Sequence, residues 1–266
     1  MKTQNKFPDK EDLMGFNSEE GLLAMERVTN NKDEIKNTLE DPERVIPRDF
    51  QVWLDPDNEN VKTAIENLMK TYNNDKEEMK YVDLMGDAWF NYGVFKTLKS
   101  IINTNGRKEN TYFYKLSDSS YSVYKTYIIT KYSDLPGVCH ADDLGYLFRM
   151  YGDSRGFIKL TIPKEGMLTH QRLVKMWSNF AKTGNPLQEK ANGGNALEKK
   201  KGDDPLSKVT WEKVDKGNIK YLDITEDEEL KMKQFQEVEG QRFNLWDKLY
   251  EIGQEIFKNK KPDTKL

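Results

Sequence analysis

Two side chains stand in a pattern that acyl-transfer chemistry uses: Glu20 in N-S-E-E-G and His140 in G-V-C-H-A-D-D. Each phrase reads as a turn just after a strand-like segment. The two residues lie 120 positions apart, so any meeting between them is tertiary. A histidine serving as general base in acyl transfer needs a carboxylate that fixes its tautomer and stabilises the imidazolium. Read from residue types alone, the pair has a plain alternative: His140 as a loop histidine and Glu20 as an acid capping a helix.

A base with its orienting acid still lacks an attacking group. Gly152, Asp153, Ser154, Arg155 and Gly156 spell G-x-S-x-G. A nucleophile elbow needs a strand before it and a helix after it. Here FIKLTIP follows, which is β-like and ends in proline, so Ser154 reads as a decoy in a surface turn. Cys139 adjoins His140, but neighbours in an extended segment point to opposite faces, and it reads as a small buried core residue. His170, near a helix start, reads as solvated. Trp89, Tyr92 and Phe95 read as core rather than as a ligand box.

The elements that must position these residues are helices between sparse strands. Leu13 to Leu23 reads as a strand end, a turn and a new element, with Asn17 or Ser18 as its cap. A short helix stops before Pro42. Val61 to Tyr72 and Tyr81 to about Ile102 carry apolar residues at steps of three and four. Asp83 and Asp87 fall early in the second, where the helix dipole favours them, and Gly106 is its stop signal. Thr111 to Ser117 reads as a strand, and Tyr124 to Tyr132 as either loop or strand. Leu135 to Phe148 opens on a Pro–Gly turn and ends in a helix with Leu144, Leu147 and Phe148 as its apolar side. Thr169 to Lys182 is helical, with Gly184 and Pro186 beyond it. Residues 188–208 hold NGGN and EKKKGDDP and read as a flexible loop. Val209 to Val214 and Ile219 to Ile224 read as a strand pair, and Glu226 to Lys258 as an amphipathic helix. The order suggests an α/β sheet covered by helices.

The composition narrows the function further. The chain has 266 residues, 42 Lys plus Arg against 45 Asp plus Glu, 1 Cys and 2 His. A near-balanced charge gives no argument for nucleic acid or an anionic membrane. One cysteine and two histidines leave no disulfide framework and make a structural zinc site improbable, and no metal or organic cofactor is implied. The sequence has no run of about 18 apolar residues that would span a membrane. MKTQNKFPDK has no apolar signal-peptide region, so the chain as written reads as cytoplasmic, while the localisation of a complete form, secretion included, is not legible.

MGFNSEEGLL, DPERVIPRDF, TYFYKLS, GVCHADDLGYLF, RLVKMWSNFAKTGNP and the late W-x-x-V…YLDI block occur in that order. Together they resemble the C-terminal half of the type-B carboxylesterases, most closely the insect esterases, over about Leu13 to Tyr250. The resemblance implies a partial α/β-hydrolase fold: the C-terminal strands of the sheet, covered by helices, without the N-terminal half. It places the triad acid at Glu20 and the triad base at His140. Asp143, three places after the histidine, matches a hydrogen-bond partner behind the triad. The implied activity is serine-type hydrolysis of a small carboxylic ester.

The departures from that family are as informative. The fold's chain order is serine, acid, histidine. Only 19 residues precede Glu20, none forms an elbow, and no His is followed by Gly-Gly for an oxyanion hole. Ser154 follows His140 and is in the wrong order. The expectation is therefore a chain that carries acid and base without nucleophile, inactive alone. The alternatives are a non-catalytic cholinesterase-like interaction module and a truncated gene product. Oligomeric state is not legible.

Overall fold

The structure, a computed structural model, describes residues 10–31, 33–104, 110–151, 160–188, 204–235 and 237–260. Its regular elements in chain order are β1 (Asp12–Asn17), α1 (Met25–Asn30), α2 (Glu34–Glu40), α3 (Glu59–Met69), α4 (Glu77–Gly86) and α5 (Tyr92–Ile102), then β2 (Thr111–Leu116), α6 (Val123–Tyr127), α7 (Asp142–Leu147), α8 (Met167–Thr183), β3 (Lys220–Ile224), β4 (Lys231–Gln234) and α9 (Glu237–Lys260). Short 3-10 turns join several of them, including Glu20–Ala24 directly after the first strand's turn. The chain divides into two compact units, Met1–Glu19 with Lys96–Gln234 and Glu20–Phe95 with Phe235–Leu266.

The first unit is built on a sheet of order β1-β2-β3-β4. β1 pairs with β2 and β2 with β3 in parallel, while β4 runs antiparallel to β3. β2 is buried almost throughout, as a parallel strand covered on both faces must be. Tyr112, Tyr114 and Leu116 point from it into a core with Leu222, Ile224, Leu173 and Met176. Phe113 points to the other face and meets Phe16 of β1 edge-on.

The strands differ from the sequence reading in one respect. Val209 to Val214 is not a strand of this sheet, and the partner of β3 is instead β4, inside the segment expected to be helical. Val209, Trp211 and Val214 are buried, but they cover the sheet rather than extend it. Trp211 Nε1 donates to the Phe113 carbonyl at 3.0 Å, which anchors that cover across β2. Periodicity reports burial, and a covering segment and a strand bury the same residue types. Tyr124 to Tyr132, open between loop and strand, is helical: α6 followed by a 3-10 turn at Thr130–Tyr132.

The second unit packs helices around Phe50 and Trp246. The Phe50 ring meets Tyr92, Trp246 and Tyr250. α3 begins where Asn58 caps it, its side chain accepting the Asn60 amide at 3.0 Å. The expected long helix from Tyr81 is two helices joined by a π turn at Asp87–Asn91. It starts earlier, so Glu77 and Glu78 occupy the dipole position expected for Asp83 and Asp87. Asp87 is fully buried instead and accepts three bonds: Arg242 Nε at 2.8 Å, Tyr72 Oη at 3.0 Å and Asn91 Nδ2 at 3.1 Å. Trp246 Nε1 donates in turn to Tyr72 Oη at 3.0 Å. Burial pushes the Asp87 carboxyl above its ordinary range, and Arg242 opposes the shift. Gly106 and residues 189–203, the larger part of the expected loop, lie outside the described residues.

Candidate active site

In the first unit, β1, β2 and β3 are parallel, so their carboxyl ends share one edge of the sheet. That edge is where open α/β sheets bind ligands. The turn leaving β1 is tied there to the segment that precedes His140. Asn17 Nδ2 donates to the Cys139 carbonyl at 2.8 Å. The Val138 amide donates to Ser18 Oγ at 2.9 Å, and the Glu19 amide to the Val138 carbonyl at 3.0 Å. Ser18 thus serves the loop rather than capping a helix, and α1 has no side-chain cap. Gly137 has φ +89° and packs so closely on the Glu19 side chain that a Cβ there would overlap it. Only glycine meets both demands at low cost.

His140 itself is half-buried, between Cys139, which is fully buried, and Ala141, which is half-buried. Ala141 adopts φ 67°, a left-handed backbone that costs a non-glycine residue free energy and is held only by its surroundings. The main restraint is Asp142, which is completely buried. Its Oδ2 accepts Ser122 Oγ at 2.5 Å and the Cys139 amide at 3.1 Å, and its Oδ1 accepts the Tyr124 amide at 3.2 Å. Burial pushes this carboxyl up, and the three donors oppose that by favouring the ionised form. Lys125 is buried nearby, donating from Nζ to the Leu135 carbonyl at 2.6 Å, and desolvation pulls its ammonium below the ordinary lysine range.

Four residues on, Tyr146 pins the other end of α7. Its hydroxyl accepts the Tyr121 amide at 3.0 Å and donates to the Asp118 carbonyl at 3.2 Å. Burial pushes this phenol well up. α7 therefore turns Asp142, Gly145 and Tyr146 inward. Leu144 and Phe148, expected to form its apolar side, are exposed, Phe148 at 65%. His170 is not simply solvated: it is half-buried, with Nδ1 2.6 Å from the Tyr146 carbonyl. Asp143 is half-buried beside Asp142. The sequence reading missed Asp142. The signal was available, because Asp142, Gly145 and Tyr146 share one helix face by their spacing of three and four.

Glu20 opens the second unit as the first residue of the 3-10 turn Glu20–Ala24, and it is 5% exposed. The turn is seated by Gly21, where a Cβ would collide with the Val82 carbonyl oxygen and crowd the Gly86 amide of α4. Ser154 lies outside the described residues. Among the described residues, no group of three or more His, Cys, Asp or Glu is placed to hold a metal ion, and no helix is long and apolar enough to cross a membrane. A cleft of about 360 Å³ beside Arg172 is lined with mixed charges. The Arg172 guanidinium is already committed to the carbonyls of Pro205, Asp227 and Glu228, so it ties loops together.

The sequence pattern described as the carboxylesterase family matches residues 1–246. Juvenile hormone esterase of Tribolium castaneum is 24% identical over 193 residues, which is 65% of this chain and 30% of that protein. Esterase B1 of Culex pipiens is 24% identical over 258 residues, 94% of this chain and 42% of that protein. Among solved structures, juvenile hormone esterase from Manduca sexta, with OTFP covalently attached, superposes with a TM-score of 0.63 at 20% identity, over 90% of this chain and 41% of that one. The fold is therefore the α/β-hydrolase fold, and the chain spans 30% to 42% of the length of these proteins.

Proposed function

Since the chain belongs to the carboxylesterase family, we propose that it is the C-terminal portion of a serine-type carboxylic ester hydrolase, with Glu20 as triad acid and His140 as triad base. The observation that carries this reading is the strip of hydrogen bonds between residues 17–19 and 137–139. Glu20 is the next residue after one side of the strip, and His140 the next after the other.

In this mechanism a serine outside the chain attacks the ester carbonyl. His140 takes its proton and later returns it to the leaving alcohol, and water then repeats the cycle on the acyl-enzyme. Glu20 holds the imidazole in the required tautomer and stabilises its charged form. Asp143 is a hydrogen-bond partner behind the pair, and Ser154 has no part in the reaction. The substrate class is a small carboxylic ester, and the cycle needs no cofactor. By itself the chain carries neither nucleophile nor oxyanion hole, and it turns over no ester.

A chromogenic short-chain ester tests that last statement. The expected rate equals that of a His140→Ala control, and turnover above the control refutes it. The pair is tested separately by histidine NMR, because the chain has only two histidines. Removing the carboxylate in Glu20→Gln is expected to lower the pH at which His140 titrates and leave His170 alone, since a neighbouring anion favours the charged imidazole. An unchanged His140 titration would overturn the pairing.

A further inference from the structure

We propose that Asp142 is the positioning residue for His140: its buried carboxylate fixes the turn that presents the imidazole at the carboxyl edge of the sheet. The proposal deepens, and rests on, the reading of His140 as the base. A general base loses rate when it is displaced by as little as an ångström, so the turn that carries it must be over-determined. Three features meet there. Ala141, between His140 and Asp142, is held in the left-handed region without glycine's freedom. Asp142 Oδ2 closes the turn by accepting the Cys139 amide at 3.1 Å, so the carboxylate bonds the backbone just ahead of His140 from just behind it. The same carboxylate reaches out of the turn to Ser122 Oγ and the Tyr124 amide, in the segment that follows β2.

The second of those attachments is what makes the role one of placement. A turn closed only on itself fixes its shape but not its location. Ser122 and Tyr124 belong to the chain leaving β2, so Asp142 transfers the position of that segment to His140. Ser122 is fixed in its own right, since its Oγ also accepts the Lys125 amide at 3.1 Å as the cap of α6. Asp142 itself need not touch the substrate or the reacting atoms.

The two histidines make the test internal. His170 bonds the Tyr146 carbonyl at the far end of α7, so it reports whether the helix stays seated. Asp142→Ala removes both acceptor oxygens and with them all three hydrogen bonds. It is expected to split or displace the His140 imidazole resonances, with the share of misplaced imidazole rising on the order of tenfold or more. The His170 resonances are expected to stay where they are. Asp142→Asn keeps an amide oxygen that can still accept the Cys139 amide, and it is expected to restore most of the His140 signal. An unmoved His140 in Asp142→Ala, with His170 also unmoved, would overturn the proposal. If Asp142→Ala moves both histidines, Ser122→Ala decides. A change confined to His140 supports placement through Asp142, whereas no change, or a change in both, refutes it. The Glu20→Gln titration is independent of these variants. An effect of Asp142 with none of Glu20 would leave the placement standing and remove the triad pairing.

Discussion

Replacing Arg242 by methionine strips the buried Asp87 carboxylate of its counter-charge, and the outcome can be worked from the geometry. Arg242 Nε donates to Asp87 Oδ2 at 2.8 Å, with the Asp87 side chain fully buried and Arg242 only 12% exposed. Breaking a buried pair by removing one partner costs about 3–5 kcal/mol, because the remaining charge keeps its desolvation penalty and loses its compensation. For a chain of this size that corresponds to a drop in Tm of roughly 6–20 °C. Asn91 and Tyr72 still donate to Asp87, which places the expected loss toward the lower end. The loss must also depend on pH. Burial already raises the Asp87 carboxyl, and Arg242 holds it down, so the variant raises it further. A folded-state value above the unfolded one means that the native state binds more protons across that window. Stability is then fully present below the unfolded value of about 3.9 and falls as pH rises through the folded value. Thermal melting of Arg242→Met from pH 4 to pH 8 should show the deficit growing with pH. The double variant Asp87→Asn with Arg242→Met should recover most of it at pH 8. A deficit that is flat with pH, or a double variant no more stable than the single one, would refute the reasoning.

Three shorter predictions address other parts of the molecule. Gly21→Ala puts a methyl group onto the Val82 carbonyl, where backbone rather than a flexible side chain must yield, and should cost about 1–3 kcal/mol in urea unfolding. A loss under a few tenths would show that the 3-10 turn bearing Glu20 is not seated as described. Trp211→Phe keeps the packing over β2 but deletes the Nε1 bond to the Phe113 carbonyl, and a loss of about 1–3 kcal/mol is expected, readable as a lower denaturation midpoint. Desolvation lowers the Lys125 ammonium below its unfolded value, so the unfolded state binds more protons in the window up to about 10.4 and stability gains with pH there. Melting profiles between pH 8 and pH 10.5 should show that gain in the parent protein and its loss in Lys125→Met.

Much of the second unit and of the site's surroundings was legible because local signals and burial agree. Val61, Leu68 and Tyr72 recur at helical spacing and are buried. The aromatic run of β2 is buried on both faces, and Gly184 ends α8 at φ +73° as its position suggested. The wording around Glu20 and His140 carried the family resemblance, and the family match spans residues 1–246. These features depend on side-chain type and on a period of two or three to four residues, which are properties of the chain itself.

What the sequence could not decide was partnership. Val209 to Val214 has strand composition but becomes a cover, because the edge of β3 is taken by β4. Lys231–Gln234 has no apolar run and is a strand only because β3 offers it a ladder of backbone groups. Asp87 leaves the dipole position and enters the core because Arg242, 155 residues away, meets it there. Asp142, not its neighbour, closes the turn beside His140, because only the inward face of α7 meets Ser122 and Tyr124. A carboxylate or a backbone amide is satisfied by whichever group the fold brings within about 3 Å. That choice is made by chain segments far apart in sequence, so it is written in the tertiary structure alone.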